Sequence, residues 1–395
     1  MNTKGSIALI TMHDLDSTLC RTTEIEILKH LGLRGYHTTL FATRSTKSYH
    51  GMEVDFPIFA IPMRDVPLVS AFFLGVILFF IIPVYSLMKR PRFFVICGQG
   101  AWAFSFVPWK PVLSRCLKTK VILDIRSNPV EVKGRLAALR ALLFDVFVLL
   151  GSCRAFDGMT IITESMRNEI SRKFHLDPKL FGVWTEGVST ELFDPTRYMQ
   201  DAQRLRQDLG LVGKIVVLYH GTFSPNRGII ESIEAMANVK SSDVVLFLLG
   251  SGPALAKMKA TIQRCGVQGR VIVHDSVTYM DVPKYVAMSD VGLVPLPNTP
   301  DWVHQNPLNL LECLAMEKSV ILTDIPANRS VVGENKCAIY VSSAEPLRFA
   351  EAMTYVSEHL QAVRKRGLVG RTLIRGKYDW FSVSQHLDHY LTCLT

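Results

Sequence analysis

Leu218-Tyr219-His220-Gly221-Thr222-Phe223-Ser224-Pro225-Asn226-Arg227-Gly228 passes from an apolar run into a glycine-bounded loop and then into a helical pattern. That strand–loop–helix order is the unit from which parallel α/β sheets are assembled. Gly221 lets a backbone approach a ligand closely, and Arg227 at the helix entrance offers a bidentate cation beside open backbone N–H groups, a combination suited to a phosphate or diphosphate. A plain tight turn at Gly221 and a surface role for Arg227 stay open on these residues alone.

The pattern repeats on both sides. Downstream and upstream of the loop, short apolar runs at 215–219, 244–249, 270–274, 291–295, 319–322 and 338–341 alternate with helical stretches and predict a doubly wound parallel sheet. An earlier series at 6–12, 37–42, 56–61, 93–97, 121–125, 158–162 and 181–184 predicts a second Rossmann-like sheet. Between the two series the chain turns polar and irregular after Trp184, reading as a linker. The expected domains are 1–186, 187–375 and a C-terminal helix at 376–395 that packs across the junction. A length of 395 residues agrees with two cores, at roughly 100–200 residues per domain.

A second chemical feature follows in His304-Gln305-Asn306-Pro307-Leu308-Asn309-Leu310-Leu311-Glu312-Cys313-Leu314-Ala315-Met316. Pro307 suits the first turn of a helix, where its missing N–H costs nothing, so the amides of Leu308 to Leu310 are expected to point at an anion. Glu312 sits amid apolar neighbours, where a carboxylate needs a partner, and two adjacent sugar hydroxyls would satisfy it. A capped or salt-bridged glutamate is the alternative.

Hydrophobic residues make up 48% and charged residues 20%, with no low-complexity run, which predicts globular order throughout. The net charge of +9 suits anionic partners such as a nucleoside diphosphate or an acidic membrane surface, and equally a solvated basic face. The eight cysteines are scattered without Cys-x-x-Cys or Cys/His spacing, so free thiols in a reducing compartment and no metal centre are expected. Asp14 and Asp16 spell Asp-x-Asp, but their position after the first strand reads as a loop and helix cap. The N-terminus lacks a long apolar region with a cleavage site, and a cytoplasmic protein is expected. No Gly-x-Gly-x-x-Gly follows the first strand and no P-loop lysine motif occurs, which disfavours nicotinamide or flavin oxidoreductases and P-loop enzymes.

The segment 66–88 carries no charged residue and is dominated by Phe72 to Ile82, so hydropathy alone nominates a membrane helix. A true crossing would put the strands at 56–61 and 93–97 in different compartments, and their membership of one parallel sheet argues against it. A helix lying on one leaflet, with Lys89, Arg90 and Arg92 meeting lipid phosphates, keeps the sheet intact. A buried crossover helix and a genuine span are the alternative readings.

Taken together, the two loops resemble the donor site of the family 4 retaining glycosyltransferases (glycosyl transferases group 1), which have the GT-B fold. Arg227-Gly228 is similar to the family's basic residue and glycine at the diphosphate. Asn306 to Ala315 is similar to its helix Ser-Pro-x-Lys-x-x-Glu-Tyr-Leu-Ala, which makes Glu312 the ribose ligand. Trp184-Thr185-Glu186-Gly187-Val188 and Leu249-Gly250-Ser251-Gly252-Pro253 are further family-like phrases, and Asp275-Ser276-Val277 falls where the nucleobase rests. Three positions depart from the pattern: Thr222 and Asn309 stand where the family often has Arg and Lys, and His304 where it often has Glu.

The resemblance implies two Rossmann-like domains facing a cleft, with a C-terminal helix crossing back to the first. It implies a metal-independent, configuration-retaining glycosyltransferase that uses a nucleotide-diphosphate sugar as co-substrate and no cofactor. Its catalytic set would be Arg227, Glu312, His304, Asn309 and Arg126. Gly221, Thr222, Phe223, Gly250, Ser276, Val277, Pro307 and Leu308 would meet the donor, and Asp14, Ser17 and Asn128 the acceptor. Asp124-Ile125-Arg126-Ser127-Asn128 resembles a segment that touches the transferred sugar, although Arg126 reads equally as an ion-pair residue. The expected acceptor is lipid-linked or a surface glycan at the inner membrane face, with no nucleic-acid partner. A sugar-nucleotide epimerase of the same architecture and a non-catalytic subunit are the alternatives.

Overall fold

A computed structural model describes residues 4–15, 17, 20–44, 54–63, 69–98, 101–126, 135–152 and 155–394. The chain forms two compact units, Met1–Thr185 with Trp380–Thr395, and Glu186–Asp379.

The first unit is built on β1 (Ser6–Asp14), β2 (His37–Arg44), β3 (Ile58–Pro62), β4 (Phe93–Cys97), β5 (Lys120–Ile125), β6 (Gly158–Ile161) and β7 (Phe181–Val183). They pair in the order β3-β2-β1-β4-β5-β6-β7, every neighbouring pair parallel. Both faces of this sheet are covered, so β4 reads Phe-Phe-Val-Ile-Cys with all five residues buried, the uninterrupted apolar run that parallel strands require.

On one face the helix Val69–Lys89 lays Ala71, Leu74, Leu78, Ile82 and Ser86 against the sheet at helical spacing. Its opposite side leaves Phe72, Phe73, Phe80, Val84, Leu87 and Met88 exposed, and it is the one helix among the described residues long and apolar enough to cross a membrane. The start of the apolar segment, 66–68, lies outside the described residues.

On the other face the helices Ile25–Leu33 and Trp380–Cys393 share one core with Trp184 and β1. The last helix is tied into this unit at several points. Lys4 pairs with Asp388 at 2.7 Å, Arg34 donates to Ser384 at 2.9 Å, and the Met159 amide donates to the Tyr390 hydroxyl at 2.9 Å. Gly182 makes room for that tyrosine, since a Cβ there would stand 2.4 Å from the ring.

The second unit carries β8 (Ile215–Thr222), β9 (Val244–Ser251), β10 (Val271–His274), β11 (Val291–Val294), β12 (Ser319–Thr323) and β13 (Ala338–Val341). Its order, β10-β9-β8-β11-β12-β13, is again all parallel. Two apolar clusters fill its faces.

All the strands expected from sequence form, and several of their ends shift. β11 stops at Val294 because Pro295 has no N–H to offer the ladder. β8 continues to Thr222, paired with β9 as far as Thr222↔Ser251. That extension brings Gly221 opposite Gly250, and a Cβ on Gly250 would lie 1.9 Å from the Gly221 carbonyl oxygen, so the strand ends meet this closely only with glycine at 250.

Candidate functional site

In the second sheet β8 is flanked by β9 on one side and β11 on the other, so the connections after β8 and β11 part in opposite directions. Open α/β sheets bind ligands beyond the carboxyl ends of the strands at such a switch point. The register Val291↔Val217 and Gly292↔Leu218 brings the loops after Thr222 and Val294 together, although they are far apart in sequence.

Arg227 is half-buried, with its guanidinium over the Trp302 ring at 4.5 Å from the centroid. Trp302, itself buried, donates its indole N–H to the Asn226 carbonyl at 2.7 Å. Gly228 follows in the left-handed region with φ of 70°, and a Cβ there would fall 1.9 Å from the Pro295 carbonyl oxygen. The glycine after the arginine is therefore needed for close approach of the two loops, beyond any ligand.

The helix Leu308–Ala315 begins one residue later than expected, with Pro307 in extended conformation as its N-cap. The Leu310 amide bonds back to the Pro307 carbonyl at 3.1 Å, so the outward-facing amides expected at Leu308 to Leu310 reduce to those of Leu308 and Asn309. No side chain caps this helix.

One turn in, Glu312 is buried and its Oε2 accepts from the His220 imidazole Nε2 at 2.7 Å. The Asn309 side-chain amide donates to the His220 carbonyl at 3.3 Å. Burial disfavours the charged form of His220, but hydrogen bonding and charge from Cys313 and Glu312 outweigh it and raise the imidazole pKa above its ordinary value.

The other expected residues fall as follows. His304 and Leu308 are half-buried on the same stretch as Trp302, Thr222 is exposed at the end of β8, and Gly250 ends the buried part of β9. Ser276 is exposed after β10, and Val277 packs against the core of this unit. Phe223 corrects the sequence reading. Its side chain is wholly in the core, its amide donates to the Ser251 carbonyl, and its carbonyl accepts from Ala254, so it supports the loop by packing.

In the first unit, Ser17 caps the turn that follows β1, its hydroxyl accepting from the Cys20 amide at 3.2 Å, and Asp14 ends β1 opposite Thr43. Asn128 lies outside the described residues, as does Asp16. Of the two readings open for Arg126, the structure fits the ion-pair one. Its guanidinium lies over Trp184 at 3.7 Å from the centroid, donates to the Trp184 carbonyl at 3.0 Å, and stands 3.9 Å from the Asp124 carboxylate. Asp124 is fully buried and also accepts from Thr160 and the Trp184 indole, while burial pushes its pKa up.

Sequence reasoning missed three things here: the His220 partner of Glu312, the Trp302 platform under Arg227, and a 2.7 Å contact between His13 and the buried Glu24. A histidine beside the Gly221 loop was visible, but nothing local indicated which carboxylate it would meet. Among the described residues, no three His, Cys, Asp or Glu side chains converge to hold a metal ion.

Residues 201–366, which contain His220, Arg227, Trp302 and Glu312, match the family described as glycosyl transferases group 1. An alpha-D-kanosaminyltransferase of Streptomyces kanamyceticus is 21% identical over 259 residues, and the alignment spans 65% of each chain. Over whole chains, the fold matches a sucrose-phosphate synthase from Thermosynechococcus elongatus with a TM-score of 0.77 at 16% identity, covering 99% of both. It also matches the Anabaena protein HepE, solved in complex with UDP, with a TM-score of 0.72 at 14% identity, covering 98% of this chain and 100% of that one. The two parallel-sheet α/β units are thus those of the GT-B fold.

Proposed function

We propose that this chain, whose residues 201–366 match the group 1 glycosyl transferases, moves a sugar from a nucleotide-diphosphate sugar to an acceptor. The observation that carries the reading is the convergence of the Arg227 loop and the Glu312 helix at the switch point between β8 and β11. Arg227 and the amides of Leu308 and Asn309 take the diphosphate, Glu312 the ribose hydroxyls, and His304 with Asn309 the sugar or phosphate.

In the reaction as proposed, the bond from the anomeric carbon to the diphosphate oxygen breaks, and the acceptor oxygen bonds to that carbon on the same face. The acceptor's proton passes to the departing phosphate oxygen, so configuration is retained and no metal is needed. The chain's share is to hold the donor and to offset the negative charge that develops on the leaving group.

The acceptor side of the proposal rests on the first unit. The exposed Phe72, Phe73, Phe80, Val84, Leu87 and Met88, followed by exposed Lys89, Arg90 and Arg92, fit a helix lying on an anionic leaflet. That surface supports the proposal of a lipid-linked or surface-glycan acceptor at the cytoplasmic membrane face.

The test is a panel of nucleotide sugars with membrane extract as acceptor, comparing wild type with Arg227→Ala and Glu312→Ala. Each variant is expected to lose at least about tenfold in kcat/KM, the scale of a charge-assisted contact. Full activity in both would show that the site is elsewhere. Nucleotide binding without turnover would leave a non-catalytic subunit, and conversion of the donor without use of an acceptor would leave an epimerase.

A further inference from the structure

His220 touches Glu312 from a strand that local sequence reading treats only as the start of the glycine loop. It is attached to the Glu312 helix twice: its imidazole Nε2 donates to Glu312 Oε2 at 2.7 Å, and its carbonyl accepts from the Asn309 side chain at 3.3 Å. Both side chains of the pair are nearly buried, with 7% and 6% of their surface exposed. A carboxylate removed from water to this degree is held in place only if its oxygens are paired. The pairing is confined to Oε2, since no described residue hydrogen-bonds Oε1.

We propose that His220 is a positioning residue: it locks one oxygen of Glu312 so that the other faces a vicinal diol, and the pair, rather than the glutamate alone, reads the ribose of the nucleotide. This rests on the nucleotide-sugar reading above. The raised proton affinity of His220 is consistent with it, because an imidazolium donates at Nε2 at any pH near neutrality.

The experiment is calorimetry with whichever of UDP, GDP and ADP binds the full chain most tightly, and with its dideoxyribose counterpart. Wild type is expected to prefer the ribose form by about tenfold or more, as for hydrogen bonds to a charged group. His220→Leu should bind both forms alike. His220→Gln places an amide nitrogen near the position of Nε2 and should restore the preference. His220→Asn is too short to reach Glu312 and should lose it, which decides the matter where the leucine variant does not fold.

Two results overturn the inference while leaving the nucleotide reading intact. One is a preference that survives in the leucine and asparagine variants. The other is an equal loss of affinity for both forms with the preference unchanged, the mark of a purely structural histidine. A wild type that binds no nucleotide overturns the nucleotide-sugar reading itself, and the inference with it. A wild type that binds both forms alike overturns the ribose role of Glu312 and, again, the inference.

Discussion

The Arg227 guanidinium rests over the Trp302 ring, 4.5 Å from its centroid, although the two residues come from different loops of the second unit. The indole N–H is in turn spent on the Asn226 carbonyl, so the ring cannot turn away without breaking a hydrogen bond. A cation held over an indole gains roughly 0.5–2 kcal/mol. Trp302→Leu is therefore expected to weaken nucleoside diphosphate binding by about twofold to thirtyfold, with Trp302→Phe between it and wild type. Calorimetry with the best-bound diphosphate measures this. Unchanged affinity in the leucine variant would mean that the ring does not orient the arginine.

Gly228 combines two constraints that a pair of variants separates. At φ of 70° an alanine pays for the left-handed conformation, and its Cβ would also meet the Pro295 carbonyl at 1.9 Å. Gly210 has φ of 66°, and a Cβ there would meet nothing within 4 Å. Gly210→Ala should cost about 1–2 kcal/mol, the conformational penalty alone. Gly228→Ala should cost clearly more, because backbone must move. Urea melts of the two variants give the comparison, and equal losses would show that the β8 and β11 loops yield freely.

Asp290 is almost fully buried and is met by Arg206 at 2.6 Å, by Arg364 and by the Val216 amide at 2.8 Å. Burial alone would raise its pKa, but the amide and the two guanidinium groups prevail and hold it below the usual carboxylate value. A folded pKa below the unfolded one, about 3.9, gives stability that is complete above that pH and is lost as pH falls through the folded pKa. Asp290→Ala is expected to cost about 3–5 kcal/mol at pH 7, because two cations and an amide lose their partner. The gap to wild type should narrow in melts near pH 3. A gap that stays constant with pH would deny the carboxylate this role.

Phe72 and Phe80 are each 65% exposed on the helix Val69–Lys89, so aspartate at both should leave the melting temperature nearly unchanged. The same double variant should lose sedimentation with vesicles containing anionic lipid. Lys89→Glu with Arg90→Glu should shift that binding to lower salt, by about 1 kcal/mol for each basic residue removed. Wild-type protein that ignores the vesicles would remove the membrane reading and leave the helix as an exposed apolar face.

The strands at 93–97 and 338–341 have the same bounds in sequence reading and in structure. Parallel strands covered on both faces are written as unbroken apolar runs between polar turns, and that signal is local. The alternation of such runs with helices, the polar break after Trp184, and the candidacy of Arg227 and Glu312 were legible for the same reason: each depends on a few adjacent residues.

What sequence alone determined, then, was two Rossmann-like units and the two loops proposed to carry the chemistry. The tertiary structure decided which residues meet. Glu312 was open to a ligand or to a salt bridge, and the pairing of β8 with β11 put it against His220, leaving one oxygen for other partners. The same pairing set Trp302 under Arg227. Arg126 was open to sugar or ion pair, and β5 beside β6 and β7 gave it Asp124 and Trp184. Hydrophobic periodicity is short-ranged and specifies elements, whereas a buried charge takes whichever partner the sheet order brings within hydrogen-bond reach, and sheet order is settled only when the whole core packs.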